Sequence, residues 1–289
     1  MFENYLIGIF VAFLAALFFS IVDLVNKKVV IDMKTIPSIL YIVFFNVVFS
    51  IFFLLLKDEF VLISLRQFFI FLFTGMVGFI AFYFFLESFR KNSVGITVAI
   101  SNSYPIFILI FSYFLLNDFL KPVLLIPLFI IIFSIYLSVD FKLNFKKRFI
   151  VFPLITSIGW GFFSTMNAYF LKIEKMSVYN IVFYLESFVF LIALLAFLCY
   201  KKKDFSGLKK NLKKNIFWTS CASFGLIISQ LLLTYSFSLI DVSIASSIAI
   251  SSVIIASIGS YFVFKENMSK NQKISIILVL FAIILYYVL

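Results

Sequence analysis

The chain contains no histidine, only two cysteines and few charged residues. Charged side chains make up 13% of its 289 residues, whereas hydrophobic ones make up 64%. A soluble domain of this length needs far more polar residues to cover its surface, so a water-soluble fold is excluded. Without histidine, and with Cys199 and Cys221 at no metal-ligand spacing, metalloenzyme functions lose their main support. We expect no metal and no cofactor.

Other classes of function also lack their signatures. There is no glycine-rich phosphate loop for nucleotide-driven pumping, and no paired-carboxylate constellation for a membrane-embedded enzyme. The net charge is +11, but the basic residues stand at the ends of apolar segments, with one dense run from Lys201 to Lys214. Lipid head groups explain this pattern better than nucleic acid does. We expect no enzyme activity and no nucleic acid, with a lipid bilayer and a small-molecule substrate as partners of a monomer or homodimer.

Long apolar runs cover most of the chain. A spanning helix needs about 17 to 25 apolar residues, and charged or turn-forming clusters divide the sequence into ten such segments. The predicted spans are 4–26, 37–56, 67–89, 94–116, 122–139, 149–171, 178–200, 215–240, 242–264 and 272–289. The first has no basic leader and no small-residue cleavage site, so we expect it to remain in the mature protein. The sequence predicts an all-α integral membrane protein, most simply in the cell membrane.

The two halves of the sequence match each other. At an offset of 148 residues Ser112-Tyr113-Phe114 falls on Ser260-Tyr261-Phe262 and Asp118 on Glu266, and near the start Asp23 meets Asn167 at an offset of 144. This ordered series predicts a five-helix repeat at 1–140, a basic linker at 141–148 and a second five-helix repeat at 149–289. Because five is odd, the repeats would be inverted, an architecture that recurs in secondary transporters.

Three carboxyl groups lie within or near the predicted spans, where ionisable groups are costly and are candidate functional residues. Glu186 lies roughly 12 Å into the seventh span with no basic residue within a turn. It either binds a proton, a cation or a substrate amine, or hydrogen-bonds to a neighbouring helix. Asp23 and Glu87 are candidate coupling or gating groups, but each is about one turn from a basic pair, Lys27–Lys28 or Arg90–Lys91, with which it could simply pair.

Uncharged polar residues near mid-depth form the second group of candidates. An amide without a partner is costly in lipid, so these side chains either bind substrate or hydrogen-bond between helices. The candidate substrate-binding residues are Asn46, Asn102, Tyr104, Asn167 and Gln230.

Three further features concern helix shape and packing. Pro105 removes a backbone hydrogen bond and predicts a kink in the fourth span, which either exposes a carbonyl group to a cavity or serves packing alone. The run from Ser243 to Ser252 permits close helix approach, with or without a cavity beside it. Trp160, between Gly159 and Gly161, either contributes to a gate and substrate site or anchors its helix at the interface.

The stretch Ser101-Asn102-Ser103-Tyr104-Pro105 and the closing patterns Ser112 to Asp118 and Ser260 to Glu266 resemble those of EamA-type permeases of the drug/metabolite transporter superfamily. The resemblance covers essentially the whole chain. It implies ten helices in two five-helix halves and transport of a metabolite such as an amino acid, nucleotide derivative, sugar conjugate or drug, often by proton coupling or exchange. The sequence departs from the family pattern at Val253, the counterpart of Pro105, and at Asn46, where many members carry Arg.

The leading hypothesis is a secondary-active transporter that works by alternating access. We expect its central cavity to be lined by the first, third, fourth, sixth, eighth and ninth spans. The alternatives are a non-transporting membrane scaffold or receptor, and a channel. Of the 24 Lys and Arg residues, 19 follow odd-numbered spans, so the positive-inside rule places both termini outside, whereas the resemblance implies cytoplasmic termini.

Overall fold

A computed structural model describes residues 2–92, 94–117, 125–138, 148–199, 205–265 and 269–288 of the protein. These residues form twelve α-helices and no strand, which confirms the all-helical prediction for this part of the chain. The helices are α1 (Phe2–Asp32), α2 (Thr35–Lys57), α3 (Leu65–Lys91), α4 (Val94–Ser101), α5 (Pro105–Leu116), α6 (Leu125–Ser138), α7 (Arg148–Lys172), α8 (Val178–Cys199), α9 (Phe205–Leu239), α10 (Val242–Ala249), α11 (Ser252–Phe264) and α12 (Lys270–Val288).

Six helical segments within the described ranges are long and apolar enough to cross a membrane, the last of them containing α10 and α11. They cover Glu3–Val30, Thr35–Lys57, Leu65–Lys91, Val178–Cys199, Asn215–Leu239 and Val242–Phe264. Two shorter apolar helices cover Pro105–Leu116 and Leu125–Ser134.

Polar and apolar side chains are distributed as expected for a protein in lipid. Large apolar side chains lie on the outside, among them Leu55, 71% exposed, and Phe262, 74% exposed. Many Ser, Thr and Asn side chains are buried instead. Because a soluble protein shows the reverse pattern, the solvent of this surface is lipid, and the chain is an integral, multi-pass membrane protein.

Two helices extend beyond their predicted spans. α1 continues past Lys27 and Lys28 to Asp32, and α9 begins at Phe205, ahead of the predicted start at 215. The lysines do not end α1 because their long side chains reach away from it. Lys27 Nζ donates to the Asn92 carbonyl at 2.8 Å, and Lys28 Nζ lies 3.6 Å from the Trp218 ring centroid. Basic residues therefore do not mark the end of the helix here.

The fourth and ninth predicted spans are each divided into two helices at corresponding positions. α4 ends at Ser101 and α5 starts at Pro105, and 148 residues later α10 ends at Ala249 and α11 starts at Ser252. Tight i→i+3 bonds close both breaks: Ser103 N–H donates to the Ile100 carbonyl at 3.1 Å, and Ser251 N–H to the Ile248 carbonyl at 3.0 Å. The second break contains no proline, so the departure at Val253 does not prevent it.

The ends of α5 and α11 also correspond. Asn117 and Lys265, 148 residues apart, both adopt left-handed backbone angles, with φ of 52° and 55°. Their N–H groups donate to the carbonyls of Ser112 and Ser260, which again differ by 148. The predicted offset is thus visible in the backbone. The acids expected beyond these ends, Asp118 and Glu266, lie outside the described residues.

Packing between the halves is approximately symmetric. α1 packs on α9 as α7 packs on α3, and α1 packs on α10 and α11 as α7 packs on α4 and α5. α2 pairs with α8, and α6 pairs with α12. Exchanging the halves therefore maps each of these contacts onto another, as expected for a duplicated chain.

One end of the α3–α7–α8 interface is filled with aromatic side chains. The Phe71 and Phe170 rings stack with centroids 3.8 Å apart, within a buried cluster that includes Phe188. Just beyond them lies a group of polar side chains that we call the Glu174 cluster: Glu174, Arg66, Gln67 and Tyr169.

The Glu174 cluster joins the start of α3 to the α7–α8 turn. Arg66 Nη2 lies 3.4 Å from Glu174 Oε1, and Gln67 Nε2 donates to Glu174 Oε2 at 2.9 Å. The Tyr169 hydroxyl donates to Glu174 Oε1 at 3.1 Å. Here a carboxylate is neutralised by a guanidinium and by two further donors, which closes this end of the interface.

Candidate functional site

A cavity of about 130 Å³ lies between the two halves. Its wall comes from α1, α2, α3, α7, α8, α9 and the turn between α4 and α5. The lining residues are Phe19, Val22, Asp23, Asn26, Val43, Asn46, Gly78, Phe82, Phe85, Asn102, Tyr104, Trp160, Phe163, Ser164, Asn167, Glu186, Val189, Leu226, Gln230, Leu233 and Thr234.

The helices that supply the wall are not all the ones that were expected. The second and seventh predicted spans, now α2 and α8, contribute Asn46 and Glu186. None of the residues from Ser243 to Ser252 lines the cavity. That run is buried and packs against α1 and α9, which is the close-packing alternative for a small-residue stretch.

Glu186 lies at the centre of the polar part of the wall. Its side chain is 3% exposed, and both carboxyl oxygens accept hydrogen bonds: Oε2 from Asn46 Nδ2 and Oε1 from Gln230 Nε2, each at 2.7 Å. We call these three residues the Glu186 cluster. It joins α2, α8 and α9. No cationic side chain pairs with Glu186 among the described residues, so only amide dipoles are present to stabilise an ionised carboxyl group.

Four amide oxygens in the wall have no hydrogen-bond partner within the described parts of the chain. They belong to Asn26, Asn46, Asn167 and Gln230. In Asn46 and Gln230 the NH₂ group faces Glu186, so the oxygen points away from it. Buried acceptors without partners are uncommon because each costs free energy. All four belong to residues that line the cavity between the halves.

Asp23 also lines the cavity, from α1. It is 7% exposed, and the described residues provide it with no ion pair or hydrogen bond. The basic residues with which it could have paired, Lys27 and Lys28, contact the Asn92 carbonyl and the Trp218 ring instead. Its counterpart in the second half, Asn167, lies in the wall on α7.

Trp160 lies in the wall rather than at the end of its helix. Its ring centroid is 4.5 Å from that of Phe85 and 6.3 Å from that of Tyr104. The flanking glycines bring α7 close to its neighbours. A Cβ atom on Gly159 would lie 2.6 Å from the Ala81 Cβ, and one on Gly161 would lie 2.5 Å from the Phe107 Cβ.

The remaining candidates divide between the cavity and its surroundings. Asn102 lines the cavity, but its Nδ2 donates to the Val98 carbonyl at 2.9 Å. Pro105 is the first residue of α5, behind Tyr104, and is not in the wall. Glu87 lies outside the cavity, where its Oε2 is 3.9 Å from Lys91 Nζ and its Oε1 accepts from the Thr35 hydroxyl. The expected basic neighbour Arg90 donates to the Met33 carbonyl instead.

Sequence reasoning missed part of the wall. Asn26 had been assigned to the end of the first span, and Thr234 and Ser164 carried no signal of depth or spacing. The offset of 144 offered one usable clue, because it pairs Phe19 with Phe163, and both line the cavity.

The fold and the cavity define a multi-pass membrane protein with a cavity, lined by apolar and polar side chains, between two similar halves. A family model described as the EamA-like transporter family matches residues 6–140 and again residues 147–288. The chain therefore belongs to this family, as the motifs predicted, and has its two-repeat architecture. The bounds predicted for the repeats and linker stay predictions.

A solved crystal structure, described only as that of a protein, has a similar fold. The TM-score is 0.71 at 12% sequence identity, and the likeness covers 97% of this chain and 96% of the other. At that identity it concerns the fold alone. No curated protein matches this chain by sequence.

Proposed function

We propose that this protein is a secondary-active transporter that moves a small organic solute across the cell membrane by alternating access. The observation that carries the proposal is the Glu186 cluster. Its carboxyl group is buried, has no cationic partner among the described residues and belongs to the wall of a cavity between two similar halves. A site shared by two half-bundles can open to one side when the halves rock one way and to the other when they rock back.

The proposed architecture has ten spans in two inverted five-helix repeats. It counts α4 with α5, and α10 with α11, as one divided span each, which leaves five spans per half. The equivalent breaks and the exchange of contacts between halves support this count. Discontinuous spans close to a central site are a recurring feature of inverted-repeat transporters.

The proposed coupling acts through Glu186 and Asp23. A carboxyl group buried in an apolar surrounding must be neutralised by a proton or by another cation. If solute and proton use these groups in turn, the release of one permits the binding of the other. Exchange of solute against protons then follows from competition for the same oxygens. We place the basic odd-numbered loops on the cytoplasmic side and propose a monomer or homodimer as the working unit.

Counterflow in liposomes tests the proposal. The purified protein is reconstituted with an unlabelled metabolite inside, and uptake of the labelled compound is followed across a panel of solutes, with an entrapped dye reporting the internal pH. Saturable exchange of one solute class, reduced in Glu186→Gln and in Asn102→Ala, is the expected result.

The matched control is Glu59→Gln, which makes the same chemical change on an exposed side chain outside the cavity. It should exchange solute as the wild type does. If the folded protein exchanges no solute, and cavity substitutions alter only its stability, a non-transporting scaffold or receptor replaces the proposal.

A further inference from the structure

We propose that the cavity selects a small organic cation with an ammonium group, in preference to an anion or a zwitterion of the same size. The proposal rests on the transport function above for its biological role, but binding alone tests it. It rests on the charge, the hydrogen-bond inventory and the aromatic content of the wall.

The charge of the wall has one sign. Asp23 and Glu186 line the cavity, and no Lys or Arg is present among the lining residues that the structure describes. The lysines closest in sequence to Asp23 are directed to Asn92 and Trp218, and neither of these contacts lies in the wall. A cation entering the cavity is attracted to both carboxyl groups, whereas an anion meets no opposite charge.

The hydrogen-bond inventory favours the same choice. The amide NH₂ groups of Asn46 and Gln230 are occupied by Glu186, and the unpartnered atoms of these side chains are their oxygens. The side-chain oxygens of Asn26 and Asn167 also have no hydrogen-bond partner among the described residues. An ammonium group carries three donors and no acceptor, so it can bond both to such oxygens and to the two carboxyl groups. A carboxylate or phosphate has only acceptors and leaves these oxygens unpaired.

At the break between α4 and α5, three N–H groups that could bind an anion already donate hydrogen bonds. In some transporters the N-terminal end of a half-helix offers free N–H groups to an anionic substrate. Here the N–H groups of Ser103, Ile106 and Phe107, at the α4–α5 break, donate to carbonyls of the same turn at 3.0 to 3.2 Å. These three N–H groups are therefore not available to the carboxylate of an amino acid.

The aromatic side chains of the wall complement a cation. Trp160 and Tyr104 lie nearly perpendicular at 87°, with Phe85 beside Trp160. Aromatic faces attract a cation most strongly where water is excluded. The volume of about 130 Å³ favours a small amine over a large one.

A series of compounds that share a phenylethyl group tests the selectivity. The compounds are phenethylamine as the cation, 2-phenylethanol as the neutral form, 3-phenylpropionate as the anion and phenylalanine as the zwitterion. The chain has two tryptophans, so Trp218→Phe leaves Trp160 in the wall as the reporter of binding by fluorescence. Glu186→Gln is compared in the same background with Glu59→Gln, and thermal unfolding verifies that all variants are folded.

We expect saturable quenching by phenethylamine, with an affinity at least tenfold higher than for the other three compounds. Glu186→Gln should weaken amine binding at least tenfold, and Glu59→Gln should leave it within twofold. Equal or tighter binding of phenylalanine or 3-phenylpropionate overturns the proposal, as does an amine affinity indifferent to Glu186→Gln or an absence of binding by all four compounds. Amine binding without counterflow of any solute upholds the ligand class and rejects the transport function; counterflow of an anion without amine binding does the reverse.

Discussion

Glu174 and Glu186 are both largely buried glutamates that accept hydrogen bonds from side-chain amides, but their surroundings differ. Glu174 lies 3.4 Å from Arg66 and receives two further donors, next to the stacked rings of Phe71 and Phe170. Glu186 faces a cavity and has amide donors only. The first carboxylate is neutralised within the protein. The second retains a charge that a proton or ligand must balance.

The contrast separates residues that hold the two halves together from residues that are available to a solute. Around Glu174 the aromatic packing is continuous, so changes there should alter stability. Around Glu186 several acceptors are unpaired and space remains, so changes there should alter binding and flux more than stability. Five substitutions, grouped in four tests, probe this separation, from the largest expected effect to the smallest.

Phe71→Ala should lower the free energy of unfolding by about 3 kcal/mol or more, because it removes a fully buried ring stacked on Phe170. The matched control is Phe262→Ala, whose side chain faces lipid at 74% exposure and should cost less than about 0.5 kcal/mol. Unfolding by a denaturing detergent measures both values. Equal costs would show that the region around Glu174 is no more tightly packed than the lipid-facing surface.

Glu186→Gln should reduce solute affinity or coupled flux by roughly 100-fold, because a hydrogen bond to a charged group in a dry site contributes up to about 3 kcal/mol. Its effect on the free energy of unfolding should stay smaller than that of Phe71→Ala, since the amide has the shape of the carboxyl group. Counterflow and detergent unfolding on the same preparation give both quantities. A large loss of stability with unchanged flux would reverse the roles assigned to the two glutamates.

Asn46→Ala and Gln230→Ala should each weaken solute binding by about tenfold, since each removes one of the two donors that orient Glu186. The double variant should not exceed the effect of Glu186→Gln, because all three substitutions disrupt one cluster. Ligand titration by Trp160 fluorescence in the Trp218→Phe background checks this. Fully additive effects beyond the Glu186→Gln value would mean that the amides contact solute independently.

Arg66→Gln should change the free energy of unfolding by less than about 1 kcal/mol, because its side chain is 70% exposed and the ion pair is screened by solvent. Solute affinity should not change, since Arg66 is outside the wall. Detergent unfolding and fluorescence titration are again the measurements. A tenfold fall in affinity would connect the Glu174 cluster to the cavity and remove the distinction between the two regions.

Composition and internal repetition predicted much of the fold. The helical class and the duplicated order follow from apolar run length and the offset of 148, and Pro105 predicts a kink where the fourth span is divided into two helices. The break between Ala249 and Ser252 was not predicted, because no proline marks it. The extension of α1 beyond Lys28 differs from the prediction, because a lysine commonly marks the end of a span but its side chain can also reach a neighbouring helix.

The depth of Glu186 in its span was readable from the sequence, but its partners were not. Asn46 is 140 positions away along the chain, and only the packing of α2 on α8 brings the two together. The same applies to Asn26. That its amide oxygen has no partner and that it lines the cavity depend on how the surrounding helices pack. The sequence of a single helix indicates how deep each residue lies in the membrane. Which helices pack against each other is determined by the whole bundle.

Access to Ser164 from the two sides of the membrane tests the central claim of a cavity that opens alternately. Ser164→Cys is nearly isosteric and places a thiol in the wall; Cys199→Ala and Cys221→Ala remove the two free cysteines. The thiol should react with a membrane-impermeant maleimide added to either face of oriented vesicles, and a bound solute should slow both reactions. Reaction from one face only, whatever the solute or pH, would contradict alternating access.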